Sequence, residues 1–239
     1  MVGIMGSAAR LYINDFDLSG YAEEVGQQIE RAMAEHTPLN ATVSNRAAGI
    51  KSVSLNVGGS AYAPATGGND AFHWAALAAA DPLVYAFVPG GDALGRHAYC
   101  GTVRQNNASI QAPGDDFVRV PFALLGNARL DRAVILRAMG AGGTSPGSAV
   151  NNAAPTTNGG RGFLLCPAIS GAEATLTVVI QDSADGTTDW QTILAFTALT
   201  AKGSEAVEIA GAVRQYVRVS WTLTGTLPAA TWFCAFSRF

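Results

Sequence analysis

The 239-residue sequence predicts a mainly β protein with one flanking α-helix, ending in a small β-sandwich of immunoglobulin-like or jelly-roll type. Residues 51–57 alternate, with Val53, Leu55 and Val57 on one side and Ser52, Ser54 and Asn56 on the other, the pattern of a half-buried strand. Beyond Gly160, short apolar runs recur at regular spacing between turn residues, as in a sandwich. Against these stands one strong helix signal. Asp70 can cap it, the alanine-rich residues 71–80 favour it, and Asp81-Pro82 stops it.

The remaining elements follow from local chemistry. Residues 10–13 read as a short strand ending at the polar turn Asn14-Asp15. Residues 21–36 are ambiguous. Val25, Ile29 and Met33 are four apart, which suits one face of a helix and equally one face of a strand, while the composition favours helix. Residues 83–88 form a compact apolar run between Pro82 and Pro89-Gly90-Gly91, hence a buried strand. Residues 98–104 and 117–125 are further strands, on either side of the turn Pro113-Gly114-Asp115. The segment 140–160 is uncharged and rich in Gly, Pro, Ser, Thr and Asn, which predicts a linker over at least its first half. Strands are then expected at 163–166, 175–181, 191–196, 206–209, 216–224 and 231–236, with a hairpin-type turn at Asp185-Gly186. The expected division is residues 1–140, a linker at 141–150, and a sandwich over 151–239.

Composition narrows the function classes. Hydrophobic residues make up 49% and charged residues 14%, the latter low against a usual value of about 25%. Only Lys51 and Lys202 supply lysine, and net charge is −3. A chain with so few charges has little to hold its copies apart, which suits self-association, and biased base composition in the source genome gives the same pattern. No basic stripe is present, which argues against tight nucleic-acid binding. Cys100, Cys166 and Cys234 are odd in number and widely spaced, which fits free thiols in a reducing compartment. The first six residues are too short and lack the basic flank of a signal peptide, and Asp81-Pro82 cuts the most apolar stretch, so a soluble chain is expected.

Catalytic and metal-binding patterns are weak. His97 and Cys100 have an HxxC spacing that could begin a metal site, but no second ligand pair accompanies them. No nucleophile elbow of the GxSxG type occurs, and the glycine-rich residues 90–95 lack the Lys-Ser or Lys-Thr of a phosphate loop. Asp182, Asp185 and Asp189 surround a turn without the close spacing of a calcium loop. Trp190, Trp221 and Trp232 could line a sugar-binding face, although tryptophan in a small sandwich is more often core. The expectation is no catalytic residue, no cofactor and no metal.

One family resemblance runs through most of the chain. It is carried by Leu11-Tyr12-Ile13-Asn14-Asp15-Phe16 with Asp17-Leu18-Ser19-Gly20-Tyr21, then Gly49-Ile50-Lys51 leading into the alternating strand. After the helix come Pro89-Gly90-Gly91, Gly95, Tyr99-Cys100-Gly101 and Ala112-Pro113-Gly114-Asp115. In this collinear order the chain resembles the major tail (tube) proteins of long-tailed phages with non-contractile tails. Thr156-Thr157-Asn158-Gly159-Gly160, the run 176–186 and Val213-Arg214-Gln215-Tyr216-Val217-Arg218-Val219 look like a domain found behind such tubes. Asn40-Ala41-Thr42-Val43-Ser44 departs from the family's pattern.

The resemblance implies a β-barrel or sandwich with one flanking helix, six copies to a ring, and rings stacked into a tube that conducts DNA at ejection. It implies a virion tail component, made in the host cytoplasm and not bound to membrane. Its partners would be its own copies, with tape-measure, tail terminator and baseplate proteins, and DNA passing without specific binding. It also implies that residues 25–39 are extended, against their helical propensity. A channel for DNA should not be basic. The acidic candidates for its wall are Asp15, Glu30, Glu35, Asp115 and Asp116. Residues 151–239 are expected outside the tube and dispensable for its assembly. The alternative is a virion surface module, an adhesin or decoration protein, whose sandwich grips host carbohydrate.

Overall fold

The computed structural model describes residues 6–35, 46–64 and 68–239. Its elements in chain order are β1 (Arg10–Ile13), β2 (Phe16–Asp17), β3 (Glu24–Glu35), β4 (Arg46–Gly58), α1 (Asn69–Ala78), β5 (Leu83–Val88) and β6 (His97–Ala108). There follow β7 (Phe122–Gly126), β8 (Asp131–Ala141), β9 (Val150–Asn151), β10 (Gly160–Ser183), β11 (Gln191–Ala195), β12 (Gly203–Ile209) and β13 (Tyr216–Arg238), with a short 3-10 turn at Gly6–Ala8 ahead of β1. The mainly β class is what the structure has, with one α-helix among the described residues. Two compact units divide the chain: a larger one of Met1–Gly20, Leu83–Gly101 and Asp131–Phe239, and a smaller one of Tyr21–Pro82 and Thr102–Leu130.

In the larger unit the strand order is β11-β10-β13-β8-β6-β5-β1-β2, with β12 added to β10 and β9 to β13. The apolar runs explain the middle of this sheet. Along β10 and β13 alternate residues enter different clusters. Leu164, Cys166, Trp232, Cys234 and Phe236 pack with Leu136 and Val150. Phe163, Leu165, Phe233 and Ala235 pack with Tyr12, Val84, Val88, Ala98 and Ile135. Both faces are therefore buried, and a strand buried on both faces needs a continuous apolar run rather than an alternating one.

This packing moves the boundary expected at residue 140. The strands β1, β5 and β8 share a sheet and a core with β10 and β13, so they belong to one compact unit with the C-terminal strands. Nor is 141–150 a free tether. Arg137 Nη2 donates to the carbonyl of Gly140 at 3.1 Å and also to that of Gly142. Ser145 Oγ donates to Trp221 O at 2.6 Å and accepts from Trp221 N at 2.9 Å, while Gly147 N donates to Val219 O at 2.9 Å. The segment is thus tied to β8 through Arg137 and to the edge of β13 through Ser145 and Gly147, and Gly147 lies close to Val219.

The C-terminal strands are also longer than expected. Runs 163–166 and 175–181 are parts of β10, and 216–224 and 231–236 are parts of β13. The ladder continues through slips at Leu165/Ala168, Ser170/Ala172 and Ala172/Thr175. Pro167 falls in the first slip, where a missing N–H costs no rung. Gly171 and Gly225 take φ of +112° and +122° at the bend, conformations that disfavour any side chain. β8 has no counterpart among the expected elements.

In the smaller unit β4 pairs with β3 and β7, and β7 with the second half of β6. β3 is a strand over Glu24–Glu35, so the extended conformation implied for residues 25–39 holds through residue 35; residues 36–39 lie outside the described part, as does the loop 40–44. Cross-strand pairing with β4 overrides a propensity of only a few tenths of a kcal/mol per residue. The strand expected at 117–125 begins only at Phe122, because Pro121 has no N–H; Arg119 instead bridges to Ala61 and Gln111. α1 starts at Asn69 after an extended Gly68, without the side-chain cap expected from Asp70. Asn69 is buried and ties down the preceding loop, accepting from Ala63 N at 2.8 Å and donating to Ser60 Oγ and Ala61 O at 2.9 and 2.7 Å. Asp70 sits in the first turn, where its charge still suits the helix dipole.

α1 buries Phe72 and His73 against Phe122, with ring centroids 5.4 and 4.8 Å away. Burial lowers the pKa of His73 from 6.5, outweighing Gln105 and Asp70, which act the other way. The unfolded chain therefore takes up a proton as pH falls through about 6.5, before the folded chain does. Stability is expected to decline over that range. His97 is shifted in the same direction by burial and Arg132. Denaturant curves between about pH 7 and pH 5 check this: His73→Phe should flatten the dependence, and an unchanged slope would refute the assignment.

Candidate assembly surface

β3 and β4 form a hairpin in which Val25, Ile29 and Met33 face Val57, Val53 and Ala48. Near the base, β4 also pairs with β7 over Ser54–Val57. Beyond it, the described part of the hairpin is two-stranded, and β3 pairs with β4 alone among the described strands. Ile29 is 53% and Met33 57% exposed. A two-stranded ribbon with apolar side chains in water is marginal, and a long open strand edge is a template for another strand.

The helix of the same unit repeats the pattern. Phe72, His73 and Ala76 point inward, while Trp74 and Leu77, three positions apart, are 69% and 64% exposed. Phe117 is 79% exposed in the loop before β7. Among the described residues every exposed large apolar side chain except Leu94 and Leu227 falls in the smaller unit. Scattered exposed apolar residues are ordinary, but their concentration in one unit marks a contact surface. The sequence showed the spacing of Ile29 and Met33 but not their exposure, and gave no signal for Trp74 and Leu77.

The acidic candidates are dispersed. Asp15, in the larger unit, pairs with Lys202 at 2.6 Å, and the Lys202 ammonium lies 4.7 Å from the Phe16 ring centroid. Glu30 is exposed on β3 and accepts a hydrogen bond from Gln28 Nε2. Glu35 ends β3 opposite Arg46. Asp115 is exposed, and Asp116 pairs with Arg119 at 2.8 Å while accepting from Phe117 N at 2.7 Å. Asp15 and Asp116 are therefore already neutralised by cations.

The other chemical candidates resolve locally. His97 is exposed and Cys100 fully buried, three residues apart on β6 and so on opposite faces. Burial pushes the Cys100 thiol well up, away from thiolate chemistry. The glycine-rich segment 90–95 is a turn, with Gly91 and Gly95 at positive φ; within it Asp92 Oδ2 accepts from Tyr12 Oη at 2.8 Å and Met139 N at 2.9 Å. Trp232 is buried and packs edge-on against Trp221, and the Arg137 guanidinium covers both. Trp190 lies under Arg218 at 4.0 Å. The three tryptophans do not form one open face.

The aspartates flanking the turn after β10 hold an arginine. Asp182 Oδ1 and Oδ2 accept from Arg214 Nε and N, each at 2.8 Å, and Asp189 Oδ2 accepts from Nη1 at 2.7 Å. Asp185 accepts from Thr188, Thr187 and Ser183, which hold its carboxyl well below the usual carboxylate range. Arg214→Ala would leave the buried Asp182 charge without its partner. A stability loss of about 3 kcal/mol is expected in denaturant titration, with less for Asp182→Asn; a loss inside experimental error in Arg214→Ala would refute the clamp.

Comparison with solved structures finds weak likenesses. A chain from the virion of a native gene transfer agent particle aligns at 11% identity with a TM-score of 0.44, covering 54% of this chain and 98% of that one. A chain from the tail of an empty gene transfer agent particle, solved with C6 symmetry, aligns at 13% and 0.40, covering 51% and 94%. The Dit (gp 19.1) protein of SPP1, described as a paradigm of hub adsorption apparatus in phages infecting Gram-positive hosts, aligns at 10% and 0.37 over 96% and 99%. No family model and no curated protein sequence matches the chain.

Proposed function

We propose that this chain is a non-enzymatic structural subunit of a phage tail, which assembles with its own copies into hexameric rings stacked as the tail tube. The observation that carries the proposal is the hairpin of β3 and β4, two-stranded over the outer part of its described residues, with β3 paired to β4 alone among the described strands and apolar at Ile29 and Met33. Such an element gains stability when another chain covers it. The collinear tail-tube motifs supply the kind of assembly, and the low charge content is consistent with it. Stacking is head-to-tail, so the interface extends until a partner stops it. Tape-measure, terminator and baseplate proteins are the partners the resemblance supplies, and DNA passes the channel without specific binding. Glu30, Glu35, Asp115 and Asp116 remain proposed wall residues, and residues 151–239 are proposed to face the exterior. Asp15 is no longer among the proposed wall residues, because it pairs with Lys202 of that outer region. The carbohydrate-binding alternative lacks a carrying feature, since Trp232 is buried and Trp190 and Trp221 lie beneath arginines.

Negative-stain microscopy of the purified chain at high concentration tests the proposal. Rings or tubes are expected; monomers at every concentration, with no tubes containing this chain in virions, would overturn it.

A further inference from the structure

We infer that a pocket in the larger unit, bordered by His97, Arg132 and Arg238, is a binding site for a small tetrahedral oxyanion of the phosphate type. The inference is independent of the assembly proposal. The pocket has a volume of about 380 Å³, and Gly95, Asn151 and Asn152 also line it; no carboxylate does. Three strands bring the cations together. His97 is opposite Val134 across β6 and β8, and Val134 is opposite Phe236 across β8 and β13. Two residues along the same face lie Arg132 on β8 and Arg238 on β13, and continuing the ladder sets these two opposite each other. Like charges directly opposite on neighbouring strands are unfavourable.

Neither arginine has a carboxylate partner among the described residues. Arg238 donates only to backbone, from Nη1 to Ala154 O and from Nη2 to Asn152 O, which fixes its guanidinium while leaving its charge unbalanced. Arg132 is exposed and makes no ion pair among the described residues. Asn151 is held by Ala153 N and Gln215 Nε2 on its Oδ1, so the polar rim is ordered before any ligand arrives. An oxyanion seated between the two arginines turns a repulsion into two charge-assisted contacts, while the His97 ring, hydrogen-bonded to the Ala133 backbone, borders the site. Guanidinium forks match tetrahedral oxyanions well, and sites on strands need little reordering to bind.

Calorimetric titration of the full chain with inorganic phosphate at fixed ionic strength is the test, with acetate as a second arm. Saturable phosphate binding is expected, weakened about tenfold or more in Arg132→Gln and unchanged in Lys51→Gln, which alters an exposed cation of the other unit. Shifts of the His97 ring resonances with phosphate should follow the same curve in the unaltered chain, and an unchanged circular dichroism spectrum confirms that the Arg132→Gln protein is folded. The site is refuted by a failure to saturate, by wild-type affinity in Arg132→Gln, or by an equal loss in Lys51→Gln. Acetate binding more tightly than phosphate refutes the assignment to a tetrahedral oxyanion.

Discussion

A chain ended after Gly140 is expected not to fold. The truncation removes β9 to β13, and with them Phe163, Leu165, Phe233 and Ala235 from the cluster that contains Tyr12, Val84, Ala86, Val88, Ala98 and Cys100. It also strips from β8 one of its two partners, β13, with which it pairs from Val134 to Ala141. Losing one large core side chain costs about 2–5 kcal/mol, and a whole domain is stable by only about 5–15 kcal/mol. Several such losses together exceed the total. Residues 151–239 are therefore not expected to be dispensable, because the N-terminal strands of the larger unit bury a face against them. Expression of the fragment with circular dichroism and heat denaturation checks the point. A soluble fragment that melts cooperatively would show that the boundary at residue 140 is real and that the shared core is of little consequence.

Placing charge on the exposed apolar positions of the smaller unit is expected to abolish assembly while sparing the fold. Ile29→Glu with Met33→Glu alters the hairpin, and Trp74→Glu alters α1. None of these side chains is part of the buried core, so melting temperatures should stay near that of the unaltered chain. In an assembled ring each would be buried against a neighbour. The loss of one buried large apolar side chain, about 2 kcal/mol, already raises the required concentration roughly thirtyfold per contact. An unpaired carboxylate in a dry interface costs more. Because every copy carries the change, the effect repeats around the ring. Sedimentation and negative-stain images of folded variants give the readout. Assembly at the normal concentration by both the hairpin and the helix variants would remove these surfaces from the interface.

Much of the candidate surface was half-legible. The four-residue spacing of Val25, Ile29 and Met33 was visible, but the number four serves both helix and strand. Pairing with β4 settles it, and the exposure of Ile29 and Met33 becomes visible only once β3 is known to have one neighbour. The aspartates around Gly186 were equally visible as a group. Their role is fixed by Arg214, which arrives from the segment before β13. His97 drew notice for its spacing to Cys100, yet strand alternation sends the two to opposite faces. Its neighbours in the pocket, Arg132 and Arg238, come from β8 and β13.

By itself the sequence determined the mainly β class, the helix before Asp81-Pro82, the fully buried β5 and the alternating part of β4. These depend on periodicity and on residues that start or stop an element, which act within a few positions. The tertiary structure alone decided that β10 and β13 continue through their bends, that β8 joins β13, and that the chain divides into units made of separated segments. The physical reason is that a strand's side-chain period shows which residues share a face, whereas the choice of partner strand and register depends on packing between residues far apart in the chain.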